Sequence, residues 1–227
     1  MPPTSAIAAG PAIRADQVCA VVLAGGEGRR MGGVDKGLQI LQGRALARHA
    51  LERLQQQTLG VPRTLAINAN RNQEGYAAWG FPVWSDAVGG FAGPLAGFHT
   101  TLEHCAATHD YLLTVPCDSP LFPLDLLARL AQALATGQGD VAMACAPDGP
   151  QDRSVRRQPV FCLLKTSLYA SLTQYLHAGG RKIDAWTQVQ RQVDVAFNLA
   201  QDDPRAFFNA NTLAELHMLE DPAATRP

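Results

Sequence analysis

Val18-Cys19-Ala20-Val21-Val22-Leu23 is an apolar run, and Ala24-Gly25-Gly26-Glu27-Gly28-Arg29-Arg30-Met31-Gly32-Gly33-Val34-Asp35-Lys36-Gly37-Leu38 follows it directly. The run reads as a buried strand closed by a turn signal. Five glycines between Gly25 and Gly33 let the backbone bend through conformations closed to other residues and approach a ligand closely. Backbone N–H groups in such a loop form an anion-binding concavity. Arg29, Arg30 and Lys36 add side-chain charge suited to several phosphates at once. A glycine-rich turn with solvated cations is the bland alternative. Three cations placed directly behind a strand favour a polyphosphate-binding loop.

The loop is neither of the two commonest phosphate motifs. A P-loop needs Gly-Lys followed by Ser or Thr, and Lys36 stands between Asp35 and Gly37. The dinucleotide fingerprint needs a third glycine where Met31 stands after Gly26 and Gly28.

Outward from this loop, apolar runs alternate with amphipathic stretches, which predicts βαβ units and a mostly parallel sheet in an α/β, Rossmann-like, three-layer fold with helices on both faces. Strands are expected at 18–23, 64–68, 111–115, 141–144 and 160–164. Helices are expected at 44–56, 94–106, 123–135, 167–177 and 212–219, with Pro94 and Pro123 in first turns, where a missing N–H costs nothing. Residues 1–16 are small, rich in Pro and Ala, and carry one cation, Arg14; they read as a flexible tail ahead of a single domain at 17–220. Open parallel sheets bind ligands at the carboxyl ends of their strands, so the polar groups that follow the apolar runs belong to one constellation.

Of the 227 residues, 47% are hydrophobic and 17% charged, which suits a compact core. A net charge of -1 gives no reason to expect nucleic acid or an anionic membrane as partner. Five scattered cysteines without a Cys-x-x-Cys pair favour reduced thiols in a cytoplasmic protein. No apolar stretch approaches the roughly 20 residues that cross a bilayer.

Asp118, in Val115-Pro116-Cys117-Asp118-Ser119-Pro120, lies just past an apolar strand. A carboxylate there suits Mg²⁺, which takes one or two carboxylate oxygens beside phosphates and water; a turn or helix-cap aspartate fits the position equally well. Asn68 ends the strand before Ala69-Asn70-Arg71, where its amide could read a base edge or a ribose, or simply form a turn. Asp86 precedes Gly93-Pro94-Leu95-Ala96-Gly97, a glycine-flanked helix start. His99, His104, Cys105 and His109 do not place three ligands on one helical face and read as filler. No Ser-His-Asp arrangement supports a hydrolase.

The loop resembles the L-A-G-G-x-G-x-R-M signature of nucleotidyltransferases that attach a nucleotide to a sugar phosphate or cofactor phosphate. Its tighter form, L-A-G-G-x-x-x-R-M-G-G-x-D-K-G-L, resembles the molybdenum cofactor guanylyltransferases. That resemblance implies Mg²⁺-dependent transfer of GMP from GTP to the terminal phosphate of molybdenum-molybdopterin, with pyrophosphate released. It implies that Leu23, Ala24, Gly25, Lys36, Asn68, Asp86 and Asp118 bind nucleotide, that Asp118 holds the metal, and that Arg30, Lys36 and Asp118 are catalytic. It places molybdopterin in the C-terminal half, near Gln158 of Gln158-Pro159 and near Asn209 and Asn211 of Phe208-Asn209-Ala210-Asn211-Thr212. Leu213 stands where the family usually has proline, which leaves that helix start less rigid. Arg181, with Arg153, Arg156, Arg157 and Lys182, could meet the molybdopterin phosphate or form a solvated basic loop. The resemblance also implies transient contact with molybdenum insertase and molybdoenzyme chaperones. Competing readings are a cytidylyltransferase for the same cofactor, a sugar-1-phosphate nucleotidyltransferase, and a non-catalytic cofactor-binding chaperone.

Overall fold

The computed structural model describes residues 12–25, 34–86, 93–149 and 152–220. In chain order the elements are β1 (Val18–Leu23), β2 (Ile40–Leu41), β3 (Arg44–Ala45), α1 (Leu46–Gln55), β4 (Thr64–Asn68), α2 (Gln73–Ala77), β5 (Val83–Trp84), α3 (Pro94–Cys105), β6 (Tyr111–Pro116), α4 (Leu126–Thr136), β7 (Val141–Gly149), β8 (Asp152–Lys165), α5 (Tyr169–His177), α6 (Ile183–Thr187), β9 (Gln192–Ala196) and α7 (Leu213–Glu220). The main sheet has the order β5-β4-β1-β6-β8-β7-β9, and only β8 runs against the others. No helix among the described residues is long and apolar enough to cross a membrane.

Alternation along β1 builds the layers. Successive side chains of a strand point to opposite faces. Val18, Ala20 and Val22 pack into one core with Leu51 and Leu54 of α1 and Leu126, Leu127 and Leu130 of α4. Cys19, Val21 and Leu23 pack into a second core with Phe98 and Leu102 of α3, Leu172 of α5 and Trp186 of α6. All six β1 residues are buried, which is why the run carries no polar residue. The structure therefore holds the expected three-layer α/β architecture.

Several boundaries move, each for a physical reason. The helix expected from Arg44 starts at Leu46, because Arg44–Ala45 pairs back onto Ile40–Leu41 through Gln42 and Gly43, both with positive φ (48° and 79°). Two left-handed residues are what a two-residue hairpin turn requires. The helix expected from Pro123 starts at Leu126. Gln57, far away in sequence, accepts from Leu127 N (2.8 Å) and donates to the Pro123 carbonyl (3.1 Å), capping the helix from outside. The strands expected at 141–144 and 160–164 extend into a long β7–β8 hairpin. Within the stretch expected to be a flexible tail, Ile13 and Ala15 are buried, and Ile13 joins the core, so packing begins upstream of Gln17.

Candidate active site

Register brings the polar residues together. Leu23 at the end of β1 sits between Asn68 of β4 and Pro116 of β6. The pairing runs one residue further: Ala24 N donates to Asn68 O (2.8 Å) and Cys117 N to Leu23 O (3.1 Å). Ala24, Gly25, Asn68 and Asp118 therefore share the carboxyl ends of three adjacent parallel strands.

On the β4 side, Asn68 is almost wholly buried. Its amide donates to the Trp84 carbonyl (3.1 Å) and to Asp86 Oδ1 (2.9 Å). Asn70 donates to Asp86 Oδ2 (2.7 Å) and accepts from Asp86 N (2.8 Å). Both asparagines and Asp86 thus form one hydrogen-bonded face. The Asn68 side-chain oxygen, Oδ1, turns toward α3: a Cβ at Gly97 would stand 2.5 Å from it, and one at Gly25 would stand 3.4 Å from it. Gly93 begins α3 with φ 97°, a left-handed conformation open to glycine, and Pro94 takes the first helical position.

On the β6 side, the Lys36 ammonium donates to Asp118 Oδ2 (3.1 Å) and Asn211 Oδ1 (2.7 Å). The Asp118 backbone carbonyl accepts from Ala210 N (2.8 Å), which ties the 209–211 segment beneath the strand end. Ser119, fully buried, donates to Asn209 Oδ1 (2.6 Å). The helix start at Leu213, expected to be loose without proline, is fastened by Glu215. Its carboxylate accepts from Asn211 N (2.9 Å) and from the Thr212 hydroxyl (3.0 Å), and that hydroxyl accepts from Glu215 N (3.1 Å). This close variant of a capping box fixes Asn211 for Lys36. Local sequence announces Thr212 and Glu215 by their three-residue spacing; Ser119 carries no such signal.

Lys36, Asn68, Asp86, Asp118, Asn209 and Asn211 thus converge at one end of the sheet. Gln158 lies on β8 beyond the Thr114–Cys162 pair, toward the strand end that carries Asp118, and its amide reaches the Ala146 carbonyl (3.5 Å). Arg181 is engaged elsewhere: its guanidinium donates to the carbonyls of Leu176 (3.1 Å) and Gly180 (2.7 Å), closing the end of α5. Arg157 is paired with Asp194 (2.8 Å). Arg29, Arg30 and the glycines from Gly26 to Gly33 lie outside the described residues, as does the side chain of Arg153.

The donor set around Asp118 fits a hard divalent cation. Carboxylate and amide-carbonyl oxygens face one another, and they already accept a cationic group, the Lys36 ammonium. Cys117 next door is no nucleophile: burial, then the charges of Asp118 and Asp35, hold its thiol well above the ordinary range. A second group forms at the opposite end of the sheet, where Cys19 of β1 joins Cys105 and His109, two of the residues read as filler. Ligand atoms of Cys19, Cys105 and His109 lie within 4.8 Å of one another, because β1 runs beneath the end of α3. Its groups satisfy one another: Cys19 is held as a thiol by its hydrogen bond to Cys105 and by burial, while the His109 nitrogens meet Thr64 Oγ1 (3.0 Å) and Thr108 Oγ1 (2.8 Å).

A family model described as the MobA-like NTP transferase domain matches residues 20–194, a span that holds Lys36, Asn68, Asp86 and Asp118. The chain belongs to that family. It is a nucleotidyltransferase. It is 53% identical over 211 residues to a molybdenum cofactor guanylyltransferase of Albidiferax ferrireducens, covering 92% of this chain and 98% of that one. It is 54% identical to another so named from Acidovorax ebreus, over 89% and 95% of the two chains. The fold matches the molybdopterin-guanine dinucleotide biosynthesis protein A of Archaeoglobus fulgidus, with a TM-score of 0.69 at 20% identity over 91% of this chain and 99% of that chain. It also matches a 4-diphosphocytidyl-2C-methyl-D-erythritol synthase of Anaerococcus prevotii (TM-score 0.65, 12% identity, 91% and 97% covered), so the architecture itself does not fix the substrate.

Proposed function

We propose that this protein transfers GMP from GTP to the terminal phosphate of molybdenum-molybdopterin, with Mg²⁺ as cofactor. The observation that carries the reading is the convergence of Lys36 on Asp118 beside the Asn68–Asp86 face. The names of the relatives at 53–54% identity support the choice of guanylyl transfer.

In this reading the substrate phosphate oxygen attacks the α-phosphorus of GTP, the α–β bridging bond breaks, and pyrophosphate leaves. A phosphate nucleophile is already ionised at neutral pH, so catalysis rests on positioning and charge stabilisation. Asp118, with Asn209 and Asn211 close by, would hold Mg²⁺. When bound, that ion supplies neutralisation of phosphate charge. Lys36 and Arg30 stabilise charge building on the α-phosphoryl group and the departing pyrophosphate. Leu23, Ala24 and Gly25 lead the backbone under the phosphates. Asn68 and Asp86 hold the nucleoside, with Gly97 letting α3 approach it closely. Gln158, Asn209 and Asn211 face molybdopterin in the C-terminal half of a single domain, while Arg181, held on the carbonyls that close α5, takes no part. The reaction takes place in the cytoplasm, with product passed on through contact with molybdenum insertase and molybdoenzyme chaperones.

Pyrophosphate release from purified protein, molybdopterin and either GTP or CTP tests this directly. The reading expects Mg²⁺-dependent release with GTP and release at least about tenfold slower with CTP, the scale of one net hydrogen bond. Release with CTP alone would assign the cytidylyl reaction instead, and none with GTP would refute the proposal.

A further inference from the structure

The turn that carries Lys36 is held from behind. Asp35 precedes it, and each oxygen of its carboxylate is engaged. Oδ1 accepts from Gly37 N (3.1 Å) and from the Tyr76 hydroxyl (2.6 Å), and Oδ2 accepts from the Asn72 amide (3.0 Å). Tyr76 lies in α2 and is completely buried, with its ring edge-on to Trp79 at 5.2 Å. Burial, then its hydrogen bond to Asp35, holds the phenol far above its ordinary range, so it remains a donor at any working pH. Asn72 opens α2 in the left-handed conformation (φ 51°) and offers its carbonyl to Tyr76 N (3.2 Å), so both Asp35 partners come from one rigid corner. Gly37 completes the fit. A Cβ there would stand 2.3 Å from the Tyr76 hydroxyl and 3.3 Å from the Ala24 Cβ, so the glycine is what lets the phenol reach Asp35.

Lysine is a point charge on a flexible four-carbon stem, so the placement of its ammonium depends on how firmly its backbone is held. We infer that Tyr76 and Asn72 are positioning residues for Lys36, fixing through Asp35 the turn that aims its ammonium at Asp118 and the triphosphate. The triphosphate half of this statement rests on the function proposed above; the Lys36–Asp118 half does not.

Two variants probe it. Tyr76→Phe keeps the ring and deletes the hydroxyl, and Asn72→Gly keeps the left-handed backbone accessible while deleting the amide. In Tyr76→Phe, kcat for pyrophosphate release is expected to fall about tenfold, the scale of one hydrogen bond to a charged group. KM for GTP should stay within about twofold, because the Asn68–Asp86 face is untouched. In a Lys36→Ala background the same change should cost nothing further, since a positioning residue acts only through what it positions. Asn72→Gly should behave alike with a smaller loss. Independently of substrates, acylation of Lys36 by an amine-reactive ester, read by mass spectrometry, should be faster in Tyr76→Phe than in the parent protein. An unchanged kcat in both variants, an equal fold-loss with and without Lys36, or unchanged Lys36 labelling would overturn the inference. If the parent protein releases no pyrophosphate, the proposed function fails, and the labelling comparison still decides whether Tyr76 holds Lys36.

Discussion

Asp118 holds two things by two different groups. Its backbone carbonyl secures Ala210, and its carboxylate meets Lys36. Substitution removes only the second, so Asp118→Ala is a clean probe of the carboxylate. It is expected to lower kcat by about 10²–10³, or about 2.7–4 kcal/mol of transition-state stabilisation, as for other preorganised electrostatic groups. Steady-state kinetics with Mg²⁺ present check this, and near-parental turnover would remove Asp118 from the mechanism. Gly97→Ala addresses the other side. Its Cβ would fall on Asn68 Oδ1, and the Asn68 side chain cannot rotate without giving up Trp84 and Asp86. The expected outcome is a KM for GTP raised about tenfold and a stability loss of about 1–3 kcal/mol from overpacking, measured by kinetics and urea unfolding. Asn68 and Asp118 were legible in the sequence because each is the first polar residue after an apolar strand. Tyr76 and Ser119 were not singled out, since their partners are set by the folded chain, whereas the local Thr212–Glu215 spacing was legible and went unread.

Among elements, strands buried on both faces were the most legible. β1, β4 and β6 are nearly continuous apolar runs, and their boundaries moved by no more than one residue. The outer half of β8, Asp152 to Gln158, escaped notice because it pairs with β7 in a hairpin whose exposed residues need no apolar alternation. β9 is an edge strand, only partly buried, and was missed for the same reason. Asp140 fastens these elements together. At the start of β7 its carboxylate bonds to Arg191 ahead of β9 (2.8 Å) and to Lys165 at the end of β8 (2.9 Å). The Arg191 hydrogen bonds, followed by the Lys165 interaction, lower its pKa to about 2 against the opposing effect of burial. A folded-state pKa below the unfolded value gives stability that is present above about pH 4 and lost as pH falls through 4 toward 2. Asp140→Asn should therefore lower the urea midpoint at pH 7 and show a shallower decline than the parent between pH 4 and 2. Parallel acid profiles would contradict the account.

Across the whole molecule, the fold assembles a site from residues far apart in the chain: Lys36 meets Asp118 across 82 positions and Asn211 across 175. The βαβ alternation made the layers readable in the sequence, and the polar residues after the apolar runs do gather at one end of the sheet. What stayed hidden is which side chains close the contacts, because a strand order such as β1-β6-β8-β7 with one reversed member follows from tertiary pairing. The architecture alone does not fix the substrate, and under the proposed function that choice falls to the groups at the strand ends. A crystal structure of the protein with Mg²⁺ and a non-hydrolysable GTP analogue tests this most directly. The account predicts the triphosphate between the loop after β1 and Asp118, with Lys36 on the phosphates and guanine against Asn68 and Gly97; a nucleotide lodged away from Asp118 and Lys36 would contradict it.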